Sequence, residues 1–157
     1  MINYQTKTHS VERYFVGVQY QQRVESLQEV DLPAFWTTFT DIFYNTEVPN
    51  LVPKKEAIGY MDFSQDGSEF EYIAGCEVTR FDQSVSLERV IVPQGEYVYF
   101  DLPFKRKAEH IEGILHFLKQ QWPNLDRTFA YEYYPESFDH NQEDTMLYFV
   151  VPFFLKA

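Results

Sequence analysis

The sequence predicts an α+β fold in which two strand-helix-strand-strand units join into one sheet. Three observations carry that expectation. Runs rich in aromatic and β-branched residues, such as Val11–Tyr20 and Glu69–Val78, read as strands. Two segments carry apolar residues at helical spacing, one from Pro33 to about Asn45 and one over Lys107–Gln121. The order of elements in residues 11–80 then returns in residues 85–155. A unit of that size buries too little surface to be stable alone, so two units paired into a single domain over 1–157 are expected. The seam between two such units is a natural ligand cleft.

The elements follow in order. Val11–Tyr20 opens with V-E-R-Y-F-V-G-V, and Gly17 marks a bulge or a close backbone approach. A polar loop spans Gln21–Glu29. Asp31 is suited to cap a helix and Pro33 to its first turn. Phe35, Trp36, Phe39, Ile42 and Phe43 form its apolar stripe. Pro49 and Pro53 make Glu47–Lys55 a loop. Ala57–Phe63 and Glu69–Val78 read as a hairpin around Asp66-Gly67. Leu87–Val92 and Tyr97–Leu102 are the next strands, with a turn or bulge at Pro93–Glu96. Ile111, Ile114, Leu115 and Leu118 stripe the second helix, which Pro123 stops. Phe129–Tyr134 and Met146–Leu155 are the last strands, joined by the acidic loop Pro135–Thr145.

Composition narrows the function. The chain has 157 residues, is 45% hydrophobic and carries a formal charge of −11. That charge repels phosphates, which argues against a nucleic-acid surface or an anionic membrane and mildly favours cationic ligands. Aromatics make up 18%, with 15 Phe and 12 Tyr. Tyrosine joins an apolar face to a hydroxyl that seeks a partner when buried, which suits a ligand cleft. Cys76 is the single cysteine, so an internal disulfide is excluded. The N-terminal M-I-N-Y-Q-T-K-T-H lacks a signal-peptide core, and no run is long enough to span a bilayer. A cytoplasmic protein is expected. His9, His110, His116 and His140 show no metal-ligand spacing and read as surface residues. The acidic loop lacks the ligand alternation of a calcium site. No phosphate loop, serine elbow or cofactor motif is present.

One stretch points to a site. Phe129–Tyr134 reads F-A-Y-E-Y-Y and sets Glu132 inside an aromatic strand. Side chains alternate, so Ala130, Glu132 and Tyr134 share one face and Phe129, Tyr131 and Tyr133 the other. A carboxylate in such a strand is costly to bury unless something pairs with it. The expected partner is a small cationic molecule. Aromatic walls add roughly 0.5–2 kcal/mol per ring through cation–π attraction.

The chain as a whole resembles the GyrI-like small-molecule-binding domains, also called AraC-type effector-binding domains. The resemblance runs from about Val11 to Leu155. It rests on Y-F-V-G-V, F-W-T-T-F, I-G-Y-M-D-F, F-E-Y-I-A-G-C-E-V, I-V-P-Q-G-E-Y-V-Y-F, W-P, Y-E-Y-Y and Y-F-V-V-P in this order. It implies a curved antiparallel sheet of duplicated units with two main helices and a central cleft for hydrophobic, often cationic, small molecules. It also implies that Glu132 lies deep in the cleft. Some members sit behind a DNA-binding domain and regulate transcription. Because Val11 already begins the first strand, a stand-alone member is expected here. Other stand-alone members hydrolyse cyclopropane-containing toxins with a cleft Glu and Tyr, which makes such a hydrolase the alternative.

The candidate site is therefore Glu132 with Tyr148, Tyr72, Tyr60, Tyr134 and Trp36. Tyr148 is expected on the strand beside Glu132, within hydrogen-bond reach, and Tyr72 across the seam. Were the protein an enzyme, Glu132 would act as general base and Tyr72 as proton donor. A protein partner, such as a topoisomerase met through the acidic surface, ranks last, because no dense acidic stripe is present.

Overall fold

Eight strands pair into one antiparallel sheet that curves without closing, with two helices. The computed structural model describes residues 2–20, 24, 32–63, 69–83, 85–139 and 141–154. The strands are β1 (Tyr4–His9), β2 (Arg13–Gln19), β3 (Ala57–Asp62), β4 (Glu71–Val78), β5 (Glu88–Val92), β6 (Gly95–Pro103), β7 (Phe129–Tyr134) and β8 (Met146–Pro152). The helices are α1 (Leu32–Asn45) and α2 (Lys107–Gln121). Asp31, Asp66-Gly67, His140 and most of Gln21–Glu29 lie outside the described residues.

The strand order is β1-β6-β8-β7-β3-β4-β2-β5. It is symmetric about the central β3–β7 pair: β4, β2 and β5 follow on one side, and β8, β6 and β1 on the other. The two edge strands are exchanged. β1 precedes the first helix in sequence but pairs with β6, and β5 precedes the second helix but pairs with β2. Each run of elements therefore completes the sheet of the other.

β1 is absent from the sequence reading. Its residues Y-Q-T-K-T-H are almost all exposed, so no apolar alternation marks it. It forms because β6 offers an unpaired edge, with register from Tyr4–Phe100 to His9–Gly95. Tyr4 anchors it by packing on Phe100, Phe117 and Trp122.

Each sheet face has its own core. Tyr72, Ala74, Phe100, Ala130, Tyr134 and Phe149 point to the face covered by the helices, where they meet Phe35 and Phe39 of α1 and Ile111, Ile114 and Leu118 of α2. Phe15, Ile58, Val92, Tyr97, Tyr99, Tyr131 and Val150 fill the opposite face, where no helix residue joins them among the described residues. Curvature buries that second cluster. Arg13 joins Glu77 across β2 and β4 by two hydrogen bonds of 2.8 Å.

Gly17 permits the tight β2–β4 contact. It lies opposite Gly75, and a Cβ there would sit 1.9 Å from the Ala74 carbonyl oxygen, with backbone that cannot yield. The expected close approach is present. His9 departs from its expected surface role. It stacks on Tyr97 at 4.2 Å and hydrogen-bonds the Tyr99 hydroxyl at 2.7 Å, because exchanged β1 carries it onto β6. Burial, then Arg13, and then Lys7 pull its pKa down from 6.5 to about 4, against an upward pull from Glu77.

Two outcomes follow. Gly17→Ala should destabilise the fold by about 2–3 kcal/mol in urea unfolding, since an overpacked methyl must be relieved by backbone movement. For His9, the unfolded chain binds more protons than the folded one between its two pKa values. Stability should therefore fall as pH drops from 6.5 toward about 4, and His9→Gln should flatten that stretch of the stability–pH curve.

Candidate functional site: a buried carboxylate

Glu132 lies at the centre of the sheet, paired in register with Gly59 of β3 and Phe149 of β8, and is fully buried. Its alternation in β7 turns it to the helix-covered face with Ala130 and Tyr134. Two tyrosine hydroxyls donate to Oε1: Tyr72 from β4, in a short hydrogen bond, and Tyr134 from β7 at 3.1 Å. The Lys107 ammonium, at the first position of α2, abuts Oε2 as an ion pair. Among the described residues, Lys107 is the one partner found at Oε2. Lys107 also donates to the Tyr134 hydroxyl at 2.9 Å and lies 5.6 Å from its ring centre. Tyr134 thus relays between cation and anion.

Aromatic edges enclose this polar centre. Phe35 meets Tyr72, while Trp36 and Phe138 meet Tyr134, each roughly edge-on. Burial, reinforced by the Glu132 charge, pushes the Tyr72 and Tyr134 hydroxyls well above the ordinary tyrosine range. Both remain protonated donors at neutral pH. Gly59 provides the space they use: a Cβ there would lie 2.2 Å from the Tyr72 hydroxyl and 2.3 Å from Glu132 Oε1. The sequence reading passed over Gly59, although a glycine amid apolar strand residues signals such an approach.

Of the sequence candidates, Glu132, Tyr72, Tyr134 and Trp36 come together. Tyr148 and Tyr60 do not. The register pairs Tyr148 with Tyr133 and Tyr60 with Tyr131, which places both on the face opposite Glu132. The expected Tyr148–Glu132 hydrogen bond is therefore excluded by strand alternation. The expected opening at Glu132 is also closed, since its hydroxyl and ammonium partners fill it. An open depression of about 520 Å³ lies elsewhere, bordered by Gly17, Ile42, Leu87 and Glu88.

Lys107 is the residue that sequence reasoning missed. Only its helical position hinted at it. A cation in a first helical turn opposes the helix dipole, and Arg106 precedes it in a left-handed conformation without a side-chain cap. Among the described residues no group of His, Cys, Asp and Glu could hold a metal, and no helix is long and apolar enough to cross a membrane.

No protein-family model matches the chain, and no curated protein matches it in sequence. Solved structures match in fold. SAV2435 bound to tetraphenylphosphonium superposes with a TM-score of 0.73 at 15% identity, covering 99% of this chain and 94% of that one. A protein from Staphylococcus aureus MU50, provisionally described as a bacterial transcription regulation protein, gives 0.67 at 14% identity, over 100% and 99% of the two chains. The integron cassette protein VCH_CASS2 of Vibrio cholerae gives 0.56 at 16% identity, over 96% and 95%. At these identities the likeness is one of fold.

The hydroxyl shell makes a prediction of its own. Tyr72→Phe removes a donor from a buried carboxylate and should cost about 1–3 kcal/mol in urea unfolding. Gly59→Ala should cost at least as much, because its methyl displaces both Tyr72 and Glu132. A double variant should then fall short of the sum, since both changes break the same contact.

Proposed function

We propose that this protein is a GyrI-like domain that binds hydrophobic cations, with Glu132 as the charge partner and the surrounding aromatic rings as walls. The observation that carries this reading is a carboxylate with no solvent exposure, already organised around a positive charge inside an aromatic shell. Burying an anion is costly, and a fold that served stability alone would do as well with an apolar side chain there. The same fold in SAV2435, a protein bound to tetraphenylphosphonium, supports a lipophilic onium as the ligand class. The likeness to a protein linked with transcription regulation supports a sensing or sequestering role.

Tyr72, Tyr134 and Trp36 are the proposed contact residues. Tyr72 and Tyr134 hold one carboxylate oxygen and keep the anion oriented. Trp36, on the Tyr134 edge, offers a ring to the ligand. Because Glu132 is enclosed, a ligand that reaches it must part this shell, so binding is coupled to a conformational change.

The hydrogen bond between Tyr72 and Glu132 supports a second reading, hydrolysis of an electrophilic small molecule. Glu132 would take a proton from water as its oxygen bonds to the electrophilic carbon and the strained carbon–carbon bond breaks. Tyr72 would donate its proton to the leaving carbon and regain one from Glu132 through their hydrogen bond. Product formed beyond one equivalent per protein, and lost in Tyr72→Phe, distinguishes that reading from binding.

The binding reading is tested by titrating tetraphenylphosphonium against tryptophan fluorescence, with neutral triphenylphosphine oxide as comparator. Glu132→Gln should weaken the cation by about tenfold or more, or ~1.4 kcal/mol, and leave the neutral molecule nearly unchanged. Equal losses for both would defeat the reading. A circular dichroism melt on the variant checks that it is folded.

A further inference from the structure

We infer that Lys107 is a built-in counter-ion that occupies the Glu132 site in the resting protein, and that a ligand cation binds by exchanging with it. The inference rests on the cation-binding reading above and names how the same site is regulated.

The two carboxylate oxygens have divided tasks. Oε1 takes both tyrosine hydroxyls, which come from the rigid strands β4 and β7. Oε2 takes Lys107, its one partner among the described residues. A quaternary onium has no N–H to donate. It can replace the positive charge at Oε2, while the Oε1 hydroxyls stay in place. In leaving, the Lys107 ammonium would also give up the hydrogen bond that it donates to the Tyr134 hydroxyl.

Lys107 is also placed to leave. It is buried, with 7% of its surface exposed, but it is the first residue of α2 and follows Arg106, whose side chain is largely solvent-exposed. Its position opposes the helix dipole, and its helix end lacks a side-chain cap. Glu132 and the Tyr134 hydroxyl hold its ammonium inside. A short swing of a flexible four-carbon stem returns the ammonium to water, where it is strongly hydrated.

Exchange sets specificity. A small primary ammonium gains at Oε2 only what Lys107 already gives, and it arrives at the cost of its hydration. A bulky onium with spread charge loses little hydration and gains the aromatic walls. The site should therefore select permanently charged lipophilic cations over simple amines. Ligand binding should also be read out as release of the α2 N-terminus.

Two readouts test this. The first is the affinity of wild type, Lys107→Met and Lys107→Arg for tetraphenylphosphonium, with triphenylphosphine oxide as neutral comparator. The second is acetylation of Lys107 in wild type, followed by peptide mass spectrometry across the same titration. Lys107→Met should tighten the cation by about tenfold or more, and leave the neutral comparator within about twofold. Lys107→Arg keeps the competing charge and should not tighten it. Lys107 should resist acetylation in the free protein and become labelled as the cation saturates. Protection that persists at saturation, or unchanged affinity in a folded Lys107→Met, overturns the exchange. If Glu132→Gln still weakens the cation in that case, the cation-binding reading survives without it. Absence of binding in wild type and Lys107→Met alike removes both. Binding only in Lys107→Met supports the counter-ion in its strongest form. Should Lys107→Met fail to fold, the acetylation profile of wild type decides alone.

Discussion

Burial of the Glu132 carboxylate at the middle of the sheet fixes what its neighbours can be. A charge removed from water needs an opposite charge and hydrogen-bond donors. Tyr72 and Tyr134 supply the donors and Lys107 the charge. Gly59 is required because the side chains of Tyr72 and Glu132 meet over its Cα. α2 must begin where its first residue reaches Oε2. Four elements are thus tied to one carboxylate, and loosening any one of them is felt at the others.

The sheet separates that chemistry from its structural support. Strand alternation sends Tyr131, Tyr133, Tyr60 and Tyr148 to the face without helices, where they pack with Tyr97 and Tyr99 and with the Arg13–Glu77 pair nearby. This second cluster makes the curvature stable, because residues at both sides of the sheet contribute to it. Exchange of β1 and β5 closes the arrangement further, since neither run of elements is complete without a strand from the other. Together these give a stiff frame around a polar centre whose cover is made of side chains.

Fold similarity and site chemistry carry different weight. Neighbours at 14–16% identity establish the architecture and leave this chain's own residues to define the ligand. Here those residues describe a site that is complete and closed at rest. Its charge is balanced internally by Lys107, so on the proposed binding reading access and exchange, rather than a standing cavity, would govern binding.

Most of the fold was legible in the sequence. Strand-like runs gave seven of the strands and helical stripes gave both helices, because each of those signals is local. The same alternation set Glu132 and Tyr134 on one face and Tyr131 on the other. β1 was not legible, since an exposed edge strand is formed by its partner's unpaired backbone and carries no pattern of its own. Nor was the register that sends Tyr148 and Tyr60 away from Glu132, which depends on how separate strands align. Lys107 lies 25 positions from Glu132 in the chain, and on sequence it is an ordinary basic residue at a helix start. The sequence by itself determined that a carboxylate would be set in an aromatic strand. Only the tertiary structure decided that the chain's own ammonium would meet it, because a buried charge takes its partner from whatever the fold brings within reach.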